Sequence, residues 1–299
     1  MIISSATAAY QALINWTPKA DKRTFRPTTP IRMPLPRYAP RYRFNNFIKL
    51  PYNVGPFRSM IDVHLHNIPI QLGFSANPVL EAIRKVVPAT VQIKVAGANG
   101  KNWSGSGFIM HPADVTKFFG IPYKKGYYYV HTNHHVANDG KIIEILTPDG
   151  KFKLLAEVVK NKDGKLVMSQ KGDTALLMVK ATDLKEPLPV ARIASRFDYE
   201  QGSVVLAAGY PLGLPKVSVT KGIISQLEQE VDIKDLTVIQ TDAHINPGNS
   251  GGPLFTLDGV IIGTNTFGFQ GSEGMGFAYA IEDQFRILNT ILHSIKLNT

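Results

Sequence analysis

The sequence predicts an all-β protein, either closed antiparallel barrels or a sandwich. Three observations carry this reading. About twelve short apolar segments are separated by turn residues, the spacing expected of many short strands. The 25 glycines and 20 prolines suit a turn-rich chain. Helical patterning is confined to two places. No apolar run reaches the 18 residues or so that a membrane-spanning helix requires, so no transmembrane span is expected.

The elements follow in order. Asn77-Pro78 opens a short helix ending near Val87, with Asn77 as its cap and Pro78 at its first position. Pro88 ends it, because proline cannot continue the hydrogen-bond ladder. Strands are expected at 91–95, which alternates strictly, then at 105–110, 126–130, 141–146, 154–159 and 174–179. A second group follows at 203–207, 217–227, 238–241, 260–264 and 276–280. Pro148-Asp149-Gly150 marks a turn within the first group. Leu257-Asp258-Gly259-Val260 is a hairpin signal in the second. A last helix is expected at 282–295.

Charge divides the chain unevenly. Residues 1–77 hold 10 of the 33 Lys and Arg but only two acids, Asp21 and Asp62, a balance of +8. The other 222 residues balance at +2. Eight prolines lie between residues 17 and 58, interleaved with Phe25, Arg26, Arg37, Tyr38, Arg41 and Tyr42. That density forbids a regular helix and leaves extended backbone. Two readings are open: an unstructured tail, or an arm wrapping a protein partner or a neighbouring subunit. The aromatics favour the arm, since tails of the first kind are poor in them. Arginine beside aromatics also suits nucleic acid, a reading disfavoured because no folded module surrounds the cluster. Residues 1–16 lack a basic start and a cleavage box, so they do not read as a signal peptide. The compartment is left open, a virion or an organelle included.

The chain has no cysteine, which excludes disulfides, thiolate nucleophiles and cysteine-bound metals. Catalysis must use hydroxyls, carboxylates and imidazoles. One stretch supplies the nucleophile: Ile245-Asn246-Pro247-Gly248-Asn249-Ser250-Gly251-Gly252-Pro253 sets a serine in a glycine-lined turn. A serine hydroxyl at its free pKa is a poor nucleophile and needs an imidazole to take its proton. The imidazole needs a carboxylate to fix its tautomer. Upstream lie Val130-His131-Thr132-Asn133-His134-His135-Val136 and Gly172-Asp173-Thr174-Ala175-Leu176-Leu177. The order is His, Asp, Ser. Strand alternation would turn one of His134 and His135 inward and the other outward, and His131 reads as a strand-surface residue. The three histidines, with His64 and His66 in the arm, lack the His-Glu-x-x-His pattern and a nearby acid, so no metal site is expected.

These motifs resemble those of the HtrA/Deg family of serine proteases, within the chymotrypsin-like superfamily. Thr132-Asn133-His134-His135-Val136 matches the family's Thr-Asn-x-His-Val, which implies His135 as base. Asp173-Thr174-Ala175-Leu176-Leu177 matches its Asp-x-Ala-Leu-Leu, which implies Asp173 as orienting carboxylate. Gly248-Asn249-Ser250-Gly251-Gly252-Pro253 implies Ser250 as nucleophile, with the N–H groups of Gly248 and Ser250 as oxyanion hole. Gly105-Ser106-Gly107-Phe108, Gly209-Tyr210-Pro211-Leu212-Gly213 and Gly276-Phe277-Ala278-Tyr279 resemble flanking family segments. The resemblance spans about residues 78–285 and implies two six-stranded antiparallel β-barrels of chymotrypsin-like type, at about 89–190 and 200–281.

The implied activity is cleavage of protein or peptide substrates by a serine endopeptidase that needs no cofactor. The resemblance places His244 at the base of the primary pocket, where the family commonly has a small or apolar residue, so the family's preference for small aliphatic side chains does not carry over by itself. Two readings of His244 are open, a specificity residue or a packed wall residue. Thr264, Asn265 and Thr266 should line the pocket, with Phe277 narrowing it. The expected organisation is a basic Pro/Arg/aromatic-rich extension at 1–77 and a protease domain at 78–299, with no PDZ domain after it. The family often forms trimers through residues before the protease, so a homo-oligomer built through the arm is one expectation. Two others remain: a protease-fold scaffold subunit anchored by the arm, and a processing protease whose arm is a propeptide or anchor.

Overall fold

The computed structural model describes residues 77–97, 100–194, 199–229, 236–268 and 274–294. The arm expected at 1–77 lies outside them except for Asn77.

Helix α1 (Pro78–Val86) starts as its sequence requires: the Asn77 side chain accepts from the Val79 N–H at 3.1 Å. A single 3₁₀ turn, Val87–Ala89, carries Pro88 and delivers the chain into the first barrel. Six strands close that barrel: β1 (Thr90–Gly97), β2 (Asn102–Ile109), β3 (Tyr127–Thr132), β4 (Gly140–Leu146), β5 (Lys153–Val158) and β7 (Thr174–Lys180). They run in the order β3-β2-β1-β4-β5-β7, and β3 pairing with β7 completes the ring. The two-residue β6 (Met168–Ser169) hangs on β7 outside the closure.

The second barrel repeats the plan with β9 (Val204–Gly209), β10 (Ser218–Gln229), β11 (Thr237–Thr241), β12 (Pro253–Thr256), β13 (Val260–Gly268) and β14 (Gly276–Ala280). Its order is β12-β9-β10-β11-β14-β13, closed by β12 on β13. The short β8 (Arg192–Ile193) adds a parallel pairing to β13. The two six-stranded antiparallel barrels are those the sequence implied.

Each barrel has its own apolar interior. Val91, Ile93 and Val95 alternate into the first with Ile143, Leu177 and Val179. Val205, Ala207, Ile239, Leu254 and Ile262 fill the second. A third cluster lies in the seam, where Phe108 of β2, Leu206 of β9 and Phe255 of β12 meet Phe119 and Phe285 from two helices. Each such side chain, fully buried, contributes on the order of 1.5–3 kcal/mol from transfer out of water.

Three elements differ from the sequence reading. Helix α2 (Pro112–Phe119) is capped by His111, whose Nδ1 accepts from Ala113 N at 3.1 Å, an uncommon cap that the sequence does not advertise. Strand β12 is buried along its whole length and so shows no alternation. His134 and His135 lie in a one-turn helix, α3 (His134–Ala137), not on a continuing strand. The last helix, α4 (Ile281–His293), forms where expected.

Candidate active site

Ser250 sits in the turn between β11 and β12, and each glycine around it answers a steric demand. Gly248 has φ +99°, and a Cβ there would lie 2.3 Å from the carbonyl oxygen of Tyr210. Gly251 has φ +84°, and its Cβ would lie 2.1 Å from the carbonyl oxygen of Ser106. Both conformations are open to glycine and strained for other residues.

The turn is held by its carbonyls. Leu212 N–H donates to Pro247 O at 2.7 Å, and Gly252 N–H donates to Asn249 O at 2.9 Å. Each of those carbonyls shares a peptide plane with the N–H of the next residue, and the two groups point in opposite directions. The N–H groups so directed belong to Gly248 and Ser250. Among the described residues neither is donated to a protein acceptor.

His135 is placed by α3. Its Nδ1 lies 3.0 and 2.9 Å from the carboxylate oxygens of Asp173, and its backbone N–H donates to Asp173 Oδ1 at 3.1 Å. The Asp173 side chain is 16% exposed and the His135 side chain 50%. Burial pulls the His135 pKa down, but the hydrogen bond and the negative charge of Asp173 outweigh it, and the net shift is upward. The one-turn helix, rather than strand alternation, separates the neighbours. His134 makes no hydrogen bond to Asp173, and burial lowers its pKa against the smaller pull of the Asp173 charge.

Asp173 itself has φ +43°, a left-handed conformation that Asp tolerates better than most residues. Its carbonyl is gripped from two sides. Asn133 Nδ2 donates at 2.8 Å, and Gln284 Nε2 from α4 donates at 3.2 Å while also reaching Gly172 O at 2.8 Å. Gln284 was not singled out by sequence reasoning, because it lies 111 residues from Asp173.

The Ser250 hydroxyl donates to the Thr266 carbonyl at 3.1 Å. The Thr266 side chain accepts from Asn133 Nδ2 at 3.3 Å, which ties this strand to the histidine motif. The remaining pocket residues are distributed unevenly. Thr264 is fully buried and its Oγ1 lies 3.3 Å from His131 Nδ1. Asn265 is fully buried too and donates to the carbonyls of Ala208 and Pro253. Asn265 ties strands of the second barrel together, and Thr264 joins that barrel to the first through His131. His244 is exposed, and its carbonyl accepts from Thr220 Oγ1 at 2.9 Å. Phe277 is half-buried and stacks on Phe267 with centroids 4.9 Å apart.

His131 corrects an expectation. The sequence reads it as a strand-surface residue, but it is fully buried. The outer face of β3 at this point is covered by the second barrel and α4, so the ring lies between Phe108 and Phe285, each at 5.3 Å between centroids. Its Nε2 pairs with Thr174 Oγ1 at 2.7 Å. Burial lowers its pKa to about 3.

Two closed barrels with a histidine–carboxylate pair and a serine in a glycine-rich turn are the arrangement of the trypsin-like class. Residues 105–263 match the family described as "Trypsin-like peptidase domain", and the chain belongs to that family. Within it the likeness is to HtrA/DegP-type serine proteases. A probable periplasmic serine endoprotease DegP-like from Chlamydia trachomatis is 39% identical over 158 residues, covering 51% of this chain and 29% of that protein. Serine protease HTRA1A of Danio rerio is 31% identical over 232 residues, covering 74% and 43%. The serine endoprotease from Yersinia pestis superposes with a TM-score of 0.55 at 32% identity, covering 72% of this chain and 66% of that one. The chain thus spans less than half the length of these two curated relatives.

Proposed function

We propose that the chain is a serine endopeptidase acting on protein or peptide substrates, with Ser250 as nucleophile, His135 as general base and Asp173 as orienting carboxylate. The observation that carries this reading is the His135–Asp173 pairing at 2.9 Å beside the turn of Ser250. With Nδ1–H donated to Asp173, Nε2 of His135 bears the lone pair that takes the serine proton. Ser250 Oγ attacks the scissile carbonyl. The imidazolium then gives its proton to the leaving amine, and water repeats the sequence on the acyl-enzyme.

The N–H groups of Gly248 and Ser250 serve the oxyanion. Loss of one such donor typically costs about 10²–10³ in rate. The Ser250 hydroxyl rests on the Thr266 carbonyl, and a substrate N–H seated on that carbonyl competes with it, which frees the hydroxyl to turn towards His135. The strand edge at the Thr266 carbonyl, where the Ser250 hydroxyl rests, is the one we assign to substrate. That edge suits an extended substrate backbone. His244, Thr266 and Phe277 are the side chains we assign to the substrate pocket. Thr264 and Asn265 support it from within.

We assign residues 78–299 to the protease domain and residues 1–77 to an extension that attaches it to a protein partner or a neighbouring copy. The +8 balance of that segment supports the assignment.

A biotinylated fluorophosphonate tests the activity. Labelling of the full-length chain that disappears in Ser250→Ala is expected. A folded protein that takes no label would refute the enzyme and leave the protease-fold scaffold.

A further inference from the structure

Every polar group of Ser106 is used, and its N–H and hydroxyl reach the second barrel. Its N–H donates to Ser250 O at 2.8 Å, and its carbonyl accepts from Thr132 Oγ1 at 2.7 Å. Its hydroxyl lies 2.9 Å from Tyr210 N and 2.7 Å from Gly248 O. A backbone N–H can only donate, so the hydroxyl oxygen accepts from Tyr210. Its one proton is thereby directed to Gly248 O.

That carbonyl occupies the decisive place in the turn. The Gly248–Asn249 peptide lies between the two undonated N–H groups, so its orientation sets whether they converge on one point. It is fixed at both ends, by Ser106 Oγ on Gly248 O and by Asn249 N–H donating to Asn246 O at 2.9 Å. The peptides on either side are fixed by Leu212 and Gly252. Ser106 is the one side chain in this set, and it comes from the other barrel. Its neighbours let β2 approach closely: a Cβ on Gly105 would lie 2.7 Å from a methyl of Val136 and 3.2 Å from Ser250 O.

We infer that Ser106 is a positioning residue that orients the Gly248–Asn249 peptide and so sets the oxyanion-binding N–H pair. The inference rests on the reading of the site as a serine peptidase, but its geometric part is testable without activity.

The experiment compares Ser106→Ala with the unaltered full-length chain. Amide hydrogen exchange at 246–250 is expected to speed up about tenfold or more, with exchange in the strands of both barrels unchanged. Unchanged exchange at 246–250 overturns the inference whether or not the chain is an enzyme. With a peptide substrate, kcat should fall about 10- to 100-fold at an unaltered KM. Affinity for a peptide boronate should fall in parallel, and the acid-side midpoint of the pH profile should stay in place. A loss in KM alone, or a shifted midpoint, also overturns it. If Ser106→Ala does not fold, Ser106→Cys keeps a similar volume with a weaker donor and is held to the same exchange criterion. An unaltered chain that hydrolyses nothing refutes the peptidase reading, and the exchange data still decide the role of Ser106.

Discussion

The side-chain amide of Gln284 donates to the carbonyl of Gly172 across 2.8 Å, joining the C-terminal helix to the turn that presents Asp173. The same amide reaches Asp173 O, and Gln284 is fully buried. Gln284→Ala leaves the buried Gly172 carbonyl without its side-chain donor, while Asp173 O keeps Asn133. A loss of about 1–3 kcal/mol in stability is expected, from urea unfolding. A fall of roughly tenfold in kcat/KM should accompany it, since a small misplacement of a catalytic group is costly.

Asp173→Asn should keep the fold, since the left-handed backbone suits Asn as well as Asp. It replaces one acceptor oxygen of the carboxylate by an NH2 donor and removes the charge, so His135 Nδ1 is no longer held in its N–H form. Peptide hydrolysis at neutral pH is expected to fall by about 10⁴, with an unchanged circular dichroism spectrum.

The pH profile follows from the same pair. The His135 pKa is raised above its ordinary value of about 6.5, with the pull of Asp173 outweighing burial. Only neutral His135 can accept a proton, so activity is lost as pH falls through that raised pKa. The acid limb of kcat/KM should have its midpoint above about 6.5. The linked stability has the opposite course: it is fully present below the unfolded pKa and fades as pH rises through the folded one.

His131 should make stability depend on pH in the reverse sense. It is held neutral by burial, with a pKa of about 3. Between that value and the unfolded value of about 6.5 the unfolded chain binds more protons, so stability falls as pH falls across this window. Urea midpoints measured from about pH 7 to pH 4 should drop steadily. In His131→Leu the protein should be less stable at neutral pH, because Thr174 and Thr264 lose their partner, and the slope should flatten.

Much of the site was legible in the linear sequence. Serine among glycines, the Asp-x-Ala-Leu-Leu run and the paired histidines are local patterns whose chemistry is carried by adjacent residues. The strands were legible for the same reason, because alternation is a local property. Where burial removed alternation, as in β12, or where the cap was a histidine, as at α2, the signal was lost.

Local pattern thus determined a chain of many short strands with histidine, aspartate and serine motifs in that order, and the family resemblance of those motifs implied the barrels and the choice of His135. Tertiary structure decided how those groups are held. Ser106 meets Gly248 across 142 residues, Gln284 meets Gly172 across 112, and His131 meets Thr264 across 133. Each contact is a hydrogen bond, buried or partly buried, that only barrel closure and helix docking bring together. No spacing in the sequence encodes such a meeting, because it depends on how the packed elements lie and not on the order of residues within any one of them.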